Sequence, residues 1–229
     1  MTTPAQLPYF DFAQKLSPLG LNFPTRMTVL PFGEREVALV SPVPIDDQAA
    51  AAIARLGEVR YLIAPNLLHH FYLTAASKRY PNAKVLAPPG LRAKLGDVTI
   101  HATLDQGLPP ALAAAVELLR IDGAPTIDEF VFFHAATSTL VVTDLVFNFV
   151  HSRGMCTKAV LFLGGCYGRV AQSKAWRFTI KDRRAASASA QRVLALPLQT
   201  LIVAHGDVMR EDARAQLARA LSWQARAPS

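Results

Sequence analysis

Histidine and aspartate side chains stand at or near the ends of three apolar segments of this 229-residue sequence. The run VRYLIAPN leads to His69 and His70, TLVVTD ends on Asp144, and TLIVAHGD carries His205 near its end. Residues at the carboxyl ends of neighbouring strands in layered α/β folds converge on one crevice, so distant positions can share a site. Imidazole and carboxylate groups are suitable ligands for zinc, iron or manganese. The pattern therefore predicts that these four residues hold one divalent metal ion.

Two further side chains are candidates for a supporting role around that ion. Asp207 follows His205 by two positions and could orient its ring, because metal-binding histidines commonly donate their second N–H to an oxygen acceptor. His134 ends the run EFVFFH and could approach the same edge, although a single histidine there is more often structural. Taken singly, each of these residues is more often a hydrogen-bonding residue at a turn or cap. The prediction depends on their occurring together, and it assigns no catalytic residue.

The elements that must position these residues alternate along the chain. The β-rich runs RMTVLPF and EVALVSPVPI precede a helical DDQAAAAIARLG, and the strands VRYLIAPN and KVLAPP flank a helical HHFYLTAASKRYP. PGLRAKLG predicts a short helix, and the runs VTIHATLD, VELLRID, EFVFFH and TLVVTD predict a second sheet. A mostly helical stretch over 155–197, the strand TLIVAHGD and a last helix complete the order. Two packed sheets with helices outside would bury every apolar run, which predicts a single α/β domain over residues 1–229.

The segments that contain Asp144 and His205 resemble motifs of the metallo-β-lactamase superfamily. That family has a strand leading to His-x-His-x-Asp-His, a Gly-His turn, a strand ending in Asp, and a late strand ending in His-Gly. LVVTD resembles the strand that carries the bridging aspartate, here Asp144, and LIVAHGD resembles the closing motif, here His205 and Gly206. The resemblance implies a four-layer αββα sandwich. Over most of its length the chain is similar to a bacterial branch of the superfamily that keeps APN-x-x-HH in place of the full motif.

The first motif departs from the family pattern, and its register has two solutions. If His69 and His70 take the Asp-His positions, the first two histidines are replaced by Pro65 and Leu67, which cannot bind a metal. The turn that normally supplies another histidine reads IDGAPT, with Ala124 in its place.

In the second register, shifted by one residue, His69 takes the last histidine position, Leu68 the aspartate position and Asn66 the second histidine position. In either register, the resemblance implies that only one of the family's two metal positions survives. Two-metal hydrolysis therefore does not carry over. We expect a metal-dependent hydrolase-like protein without β-lactamase activity, whose substrate is an unassigned ester, thioester or phosphoester. The alternative is an inactive binding or scaffold protein with the same fold and no metal.

Charge is distributed unevenly along the chain, whose formal net charge is +7. Residues 1–150 hold 11 basic and 13 acidic side chains, whereas residues 151–229 hold 13 basic and 4 acidic ones. Within 169–192, basic residues alternate irregularly with aromatic residues. Such a segment could bind a polyanion, but amphipathic surface helices show the same pattern more often. We therefore expect at most weak nucleic-acid binding without sequence preference.

The sequence also bears on cellular location. Its longest apolar stretches are far shorter than the roughly 20 residues that a bilayer-spanning helix needs, and its first residues show no secretory pattern. Cys156 and Cys166 are expected to be reduced. These features predict a cytoplasmic protein that does not cross a membrane. They do not indicate its oligomeric state.

Overall fold

The computed structural model describes residues 6–16, 21–150 and 154–226. Its strands are β1 (Tyr9–Phe12), β2 (Lys15–Leu16), β3 (Leu21–Asn22), β4 (Thr25–Phe32), β5 (Glu36–Val40), β6 (Glu58–Ile63), β7 (Lys84–Ala87), β8 (Ile100–Thr103), β9 (Val116–Arg120), β10 (Phe130–His134), β11 (Thr139–Val142), β12 (Phe147–Asn148), β13 (Val170–Ala171) and β14 (Thr200–Val203). Its helices are α1 (Asp47–Leu56), α2 (Leu73–Arg79), α3 (Pro110–Ala113), α4 (Met155–Leu163), α5 (Lys174–Phe178), α6 (Arg183–Ala195) and α7 (Ala213–Ala225).

Two main sheets organise these elements. The first has the strand order β1-β4-β5-β6-β7-β8, with β4 antiparallel to both of its neighbours and the strands from β5 to β8 parallel. The second has the order β14-β11-β10-β9, in which β11 and β14 are parallel and β10 is antiparallel to β9 and β11. Short ribbons pair β2 with β3 and β12 with β13.

The strands are apolar on both faces because each sheet lies between two other layers. In β4, Leu30 packs against the second sheet together with Phe132 of β10. Val29, on the opposite face of β4, packs under helices α1 and α2. The outer face of the second sheet packs against α6 and α7, with Val193 and Leu217 fully buried there. The layers therefore follow the order αββα, which confirms the predicted four-layer sandwich.

Strand direction places the candidate residues at one edge. Val142 of β11 pairs with Val203 of β14 in parallel register, so Asp144 and His205 leave the sheet at the same end. The loop after β6 reaches across from the first sheet, because the Pro65 carbonyl accepts the N–H of Phe130 and the Leu67 N–H bonds to Ile127. Both sheets thus contribute to one crevice.

Local structure differs from the predictions in two places. The helix expected over HHFYLTAASKRYP begins only at Leu73. The side-chain oxygen of Asn66 accepts the N–H groups of Leu68 and His69 at 2.8 and 2.7 Å, which holds the segment in a turn instead. The predicted short helix PGLRAKLG is limited to a single 3₁₀ turn at Pro89–Leu91. None of the helices among the described residues combines the length and the apolar character needed to cross a bilayer.

Candidate metal centre

Three side chains meet at the shared edge of the sheets. One ligand atom each from His69, Asp144 and His205 can be chosen so that all three lie within 4.8 Å of one another. The Nε2 atom of His69 lies 3.3 Å from one carboxylate oxygen of Asp144, and the Nε2 atom of His205 lies 3.5 Å from the other. Both Asp144 and His205 are buried. Two imidazoles and a carboxylate are the donor types of catalytic zinc sites, so these residues fit a divalent ion.

Each imidazole ring has a hydrogen-bond partner at Nδ1, the ring nitrogen that does not face Asp144. The Ser41 hydroxyl lies 2.8 Å from Nδ1 of His69, and the Pro24 carbonyl lies 2.8 Å from Nδ1 of His205. Because a carbonyl oxygen only accepts hydrogen bonds, Nδ1 of His205 carries a proton. In the neutral His205 ring, Nε2 therefore presents its lone pair to the cluster. Outer partners of this kind fix ring orientation and tautomer at metal sites.

Asp144 is fixed by a buried amide. The side-chain NH₂ of Asn66 donates to Oδ2 of Asp144 at 2.7 Å and lies 3.1 Å from the Thr143 hydroxyl. Asn66 itself is fully buried. Its amide thus connects the loop after β6 to the loop after β11, and sequence reasoning gave it no role of this kind.

Glu129, immediately before β10, supports the same loop from beneath. Its Oε1 atom accepts the Thr143 N–H and hydroxyl, both at 2.9 Å, and the Asp144 N–H at 3.0 Å. The residue is fully buried, and its Oε2 atom has no hydrogen-bond partner within the described part of the chain. Glu129 was not among the residues predicted from the sequence. The only signal was an acidic residue directly before an otherwise apolar strand.

The electrostatics of the cluster follow from burial and mutual charge. Burial opposes ionisation of Asp144, but the two histidines outweigh it and hold the pKa of this carboxyl well below its usual range. Burial also opposes protonation of His69, yet Asp144 raises the pKa of His69 above its ordinary value. Burial lowers the pKa of His205. Burial and the Asp144 charge raise the pKa of Glu129 to about 7.

A cavity of about 260 Å³ opens onto the cluster. Its walls are mostly apolar, and its lining residues are Gln14, Phe23, Thr25, Ser41, Pro42, Leu68, His69, Phe71, Tyr72, Asp144 and His205. The ring centroid of Phe23 lies 4.6 Å from that of His205, and Phe147 lies at 5.4 Å. These rings shield His205 from water, which favours its neutral form.

The remaining predicted site residues lie elsewhere. His70 is outside the three-residue group, and its half-buried ring packs against Phe71 with centroids 5.1 Å apart. His134 ends β10, which runs antiparallel to β11, so it lies at the opposite edge of the sheet, where its Nδ1 bonds to Thr137 at 3.0 Å. The backbone of Asp207 pairs with Asn148. The Nδ1 position of His205, which Asp207 was expected to fill, faces the Pro24 carbonyl.

The side chains of the loop after β6 point in two directions. Asn66 contacts Asp144, Leu68 lines the cavity and His69 joins the cluster. Leu67, between them, packs on the far side against the core beneath α1 and α2.

The protein is similar to known proteins in structure but not detectably in sequence. No family model matches the sequence, and no curated protein matches it. The structure is similar to the metallo-β-lactamase from Hirschia baltica, with a TM-score of 0.63 and 13% identity over 99% of this chain and 100% of that one. The metallo-β-lactamase from Pontibacter korlensis gives a TM-score of 0.59 and 13% identity over 97% and 100%. The metal-soaked flavodiiron core from Synechocystis sp. PCC6803 gives 0.62 and 15% over 96% and 60%. The chain therefore has the metallo-β-lactamase fold, as the resemblance predicted.

Proposed function

We propose that this protein is a metal-dependent hydrolase with a single-metal site formed by His69, Asp144 and His205. The observation that carries the proposal is the orientation of the two imidazoles. Each ring is anchored through Nδ1, and each directs Nε2 toward the same carboxylate. Two rings fixed in this way, with a carboxylate of strongly lowered pKa between them, form a prepared cation site.

We assign the second register to the first motif. The side chains that face the site are Asn66, Leu68 and His69. In that register they occupy the positions of the second histidine, the aspartate and the last histidine. An amide and a leucine then stand where the family has a ligand and a carboxylate, which supports a site with one metal position.

A divalent ion bound there would supply Lewis acidity, polarising a carbonyl or phosphoryl oxygen and lowering the pKa of water. The protein's own residues provide binding and exclusion of water. Asp144 contributes the negative charge, Asn66 and Glu129 keep it in place, and the apolar walls limit solvent access. Apart from the three proposed ligands, no acidic or histidine side chain lines the cavity within the described residues. The proposed chemistry therefore has no separate side chain as a general base.

One observation favours the inactive alternative. The Nε2 atoms of the two histidines lie 3.1 Å apart, and both contact Asp144. The three polar groups can therefore satisfy one another as a buried hydrogen-bonded network without any ion. A binding or scaffold protein would retain such a network for stability alone.

Hydrolysis assays on matched variants separate these functions. The full chain, loaded separately with zinc, iron(II) or manganese(II), is tested on p-nitrophenyl acetate, an acyl thioester and bis(p-nitrophenyl) phosphate. We expect turnover of one substrate class that is lost in Asp144→Asn. Asp105→Asn should retain it, because this change removes an exposed carboxylate that does not line the cavity. No turnover of any class by the metal-loaded protein, or equal turnover by both variants, would favour the scaffold protein.

A further inference from the structure

A second cavity lies away from the metal centre, where α7 packs across β13 and Trp223 of α7 contacts Arg177 of the short helix α5. Its volume is about 360 Å³. It is lined by Arg169, Val170, Ala171, Arg177, Gln216, Arg219, Ala220, Ser222 and Trp223. None of these residues lines the cavity at the metal centre. The two cavities can therefore be tested independently.

The charged residues that line this second cavity are all cationic. Arg169, Arg177 and Arg219 contribute to its wall, and no aspartate or glutamate does so among the described residues. Arg177 is half-buried, whereas Arg169 and Arg219 are more exposed. The buried Arg26, by contrast, is paired with Asp11. Within residues 6–16, 21–150 and 154–226, the three cavity arginines form no ion pair. Like charges gathered without a counter-charge repel one another, and a bound anion would relieve that repulsion.

Arg177 is held in place by an aromatic ring. Its guanidinium carbon lies 5.3 Å from the ring centroid of Trp223, and that of Arg183 lies 4.6 Å from the same ring. The Nε atom of Arg177 is buried and finds no hydrogen-bond partner in the described part of the chain. A buried guanidinium N–H without an acceptor is costly. The lining of the cavity offers no carboxylate to balance this charge, and an anion in the cavity would supply it.

We propose that this arginine cavity, lined by Arg169, Arg177, Arg219 and Trp223, binds a small molecule bearing phosphate groups. The planar guanidinium fork matches phosphate oxygens in bidentate geometry, and phosphate groups are a preferred arginine ligand. A small ligand fits better than a nucleic-acid strand. Strand-binding sites offer aromatic faces for base stacking, whereas here Arg177 and Arg183 lie over the Trp223 ring.

Calorimetric titration of the full chain with pyrophosphate tests the proposal. We expect saturable binding that weakens by about tenfold or more in Arg219→Gln, because a charge-assisted hydrogen bond is lost. Arg214→Gln is the matched control, since it removes an equal charge from the same helix outside the cavity. Asp144→Asn, which alters the metal centre, should bind pyrophosphate as the wild type does. Unchanged far-ultraviolet circular dichroism establishes that each variant is folded.

Several outcomes would overturn the proposal. Absence of pyrophosphate binding up to millimolar concentration would do so, as would equal weakening by Arg214→Gln, which would indicate general attraction by the +7 chain. Loss of binding in Asp144→Asn would place the anion at the metal centre. Tight binding of single-stranded RNA that Arg219→Gln abolishes, without pyrophosphate binding, would identify a nucleic-acid surface instead.

Discussion

The Nε2 atom of His69 lies 3.1 Å from the Nε2 atom of His205. Because Nδ1 of His205 donates to the Pro24 carbonyl, the neutral His205 ring has only a lone pair at Nε2. The hydrogen between the two rings therefore belongs to His69. A cation can take the central position only when that proton leaves Nε2. In a neutral ring the proton moves to Nδ1, where the Ser41 hydroxyl can accept it. In a protonated ring one proton is released, so metal binding is linked to the protonation of His69.

This linkage predicts that metal affinity depends on pH. Asp144 raises the pKa of His69 against the opposing effect of burial, so a proton competes with the metal at higher pH than it would at an ordinary histidine. Below that pKa we expect zinc affinity to fall by about tenfold per pH unit for each proton displaced. Competition with a chelator between about pH 8 and about pH 6 measures it. An affinity that is constant over this range would contradict the linkage.

Ser41→Ala should weaken metal binding without removing a ligand. The change leaves Nδ1 of His69 without its 2.8 Å contact and frees the ring to rotate. Loss of such an outer partner costs about tenfold to a hundredfold in metal affinity. Ser77→Ala is the matched control, because that hydroxyl bonds to the Thr74 carbonyl on α2, outside the cavity. Wild-type affinity in Ser41→Ala would show that the hydroxyl does not orient the ring.

Glu129 should act through its acceptor oxygen rather than through its charge. Glu129→Ala leaves three donors around Thr143 and Asp144 without their acceptor in a buried place, and we expect a loss of about 3 kcal/mol or more in the free energy of unfolding. Glu129→Gln keeps an oxygen at that position and should retain most of the stability in urea unfolding. Exposed Glu117→Ala is the control. If the Gln variant were as unstable as the Ala variant, the negative charge would be the essential feature.

Efficient β-lactam hydrolysis is not expected of the purified, metal-loaded protein. In the register that we propose for the first motif, Asn66 and Leu68 stand where the family pattern has a histidine and an aspartate, so a second metal position would lack these ligands. Hydrolysis of a panel of β-lactams, followed by ultraviolet absorbance, tests this expectation. Efficient turnover that disappears in Asp144→Ala would mean that the motif has been misplaced.

The sequence places Asp144 and His205 after or near the end of apolar runs, and those runs form parallel neighbouring strands, so both residues leave the sheet at one edge. It could not choose between His69 and His70. That choice depends on the turn imposed by Asn66, a side-chain hydrogen bond that no periodicity shows.

The sequence also did not reveal in which direction each strand runs in its sheet. His134 ends an apolar run just as Asp144 does, but the antiparallel pairing of β10 carries it to the opposite edge. Glu129 escaped notice because an acidic residue before a strand usually faces solvent, whereas here it is fully buried beneath the site. Tertiary contacts, rather than local pattern, gave these residues their roles.

Metal content is the most direct measure of the central claim, that His69, Asp144 and His205 hold one ion. Protein purified without chelator after growth with zinc, iron and manganese is examined by elemental analysis. We expect about one transition-metal ion per chain, retained in His70→Ala and mostly lost in His69→Ala, Asp144→Ala and His205→Ala. Negligible metal in the wild type, or loss of metal in His70→Ala with retention in His69→Ala, would contradict the account.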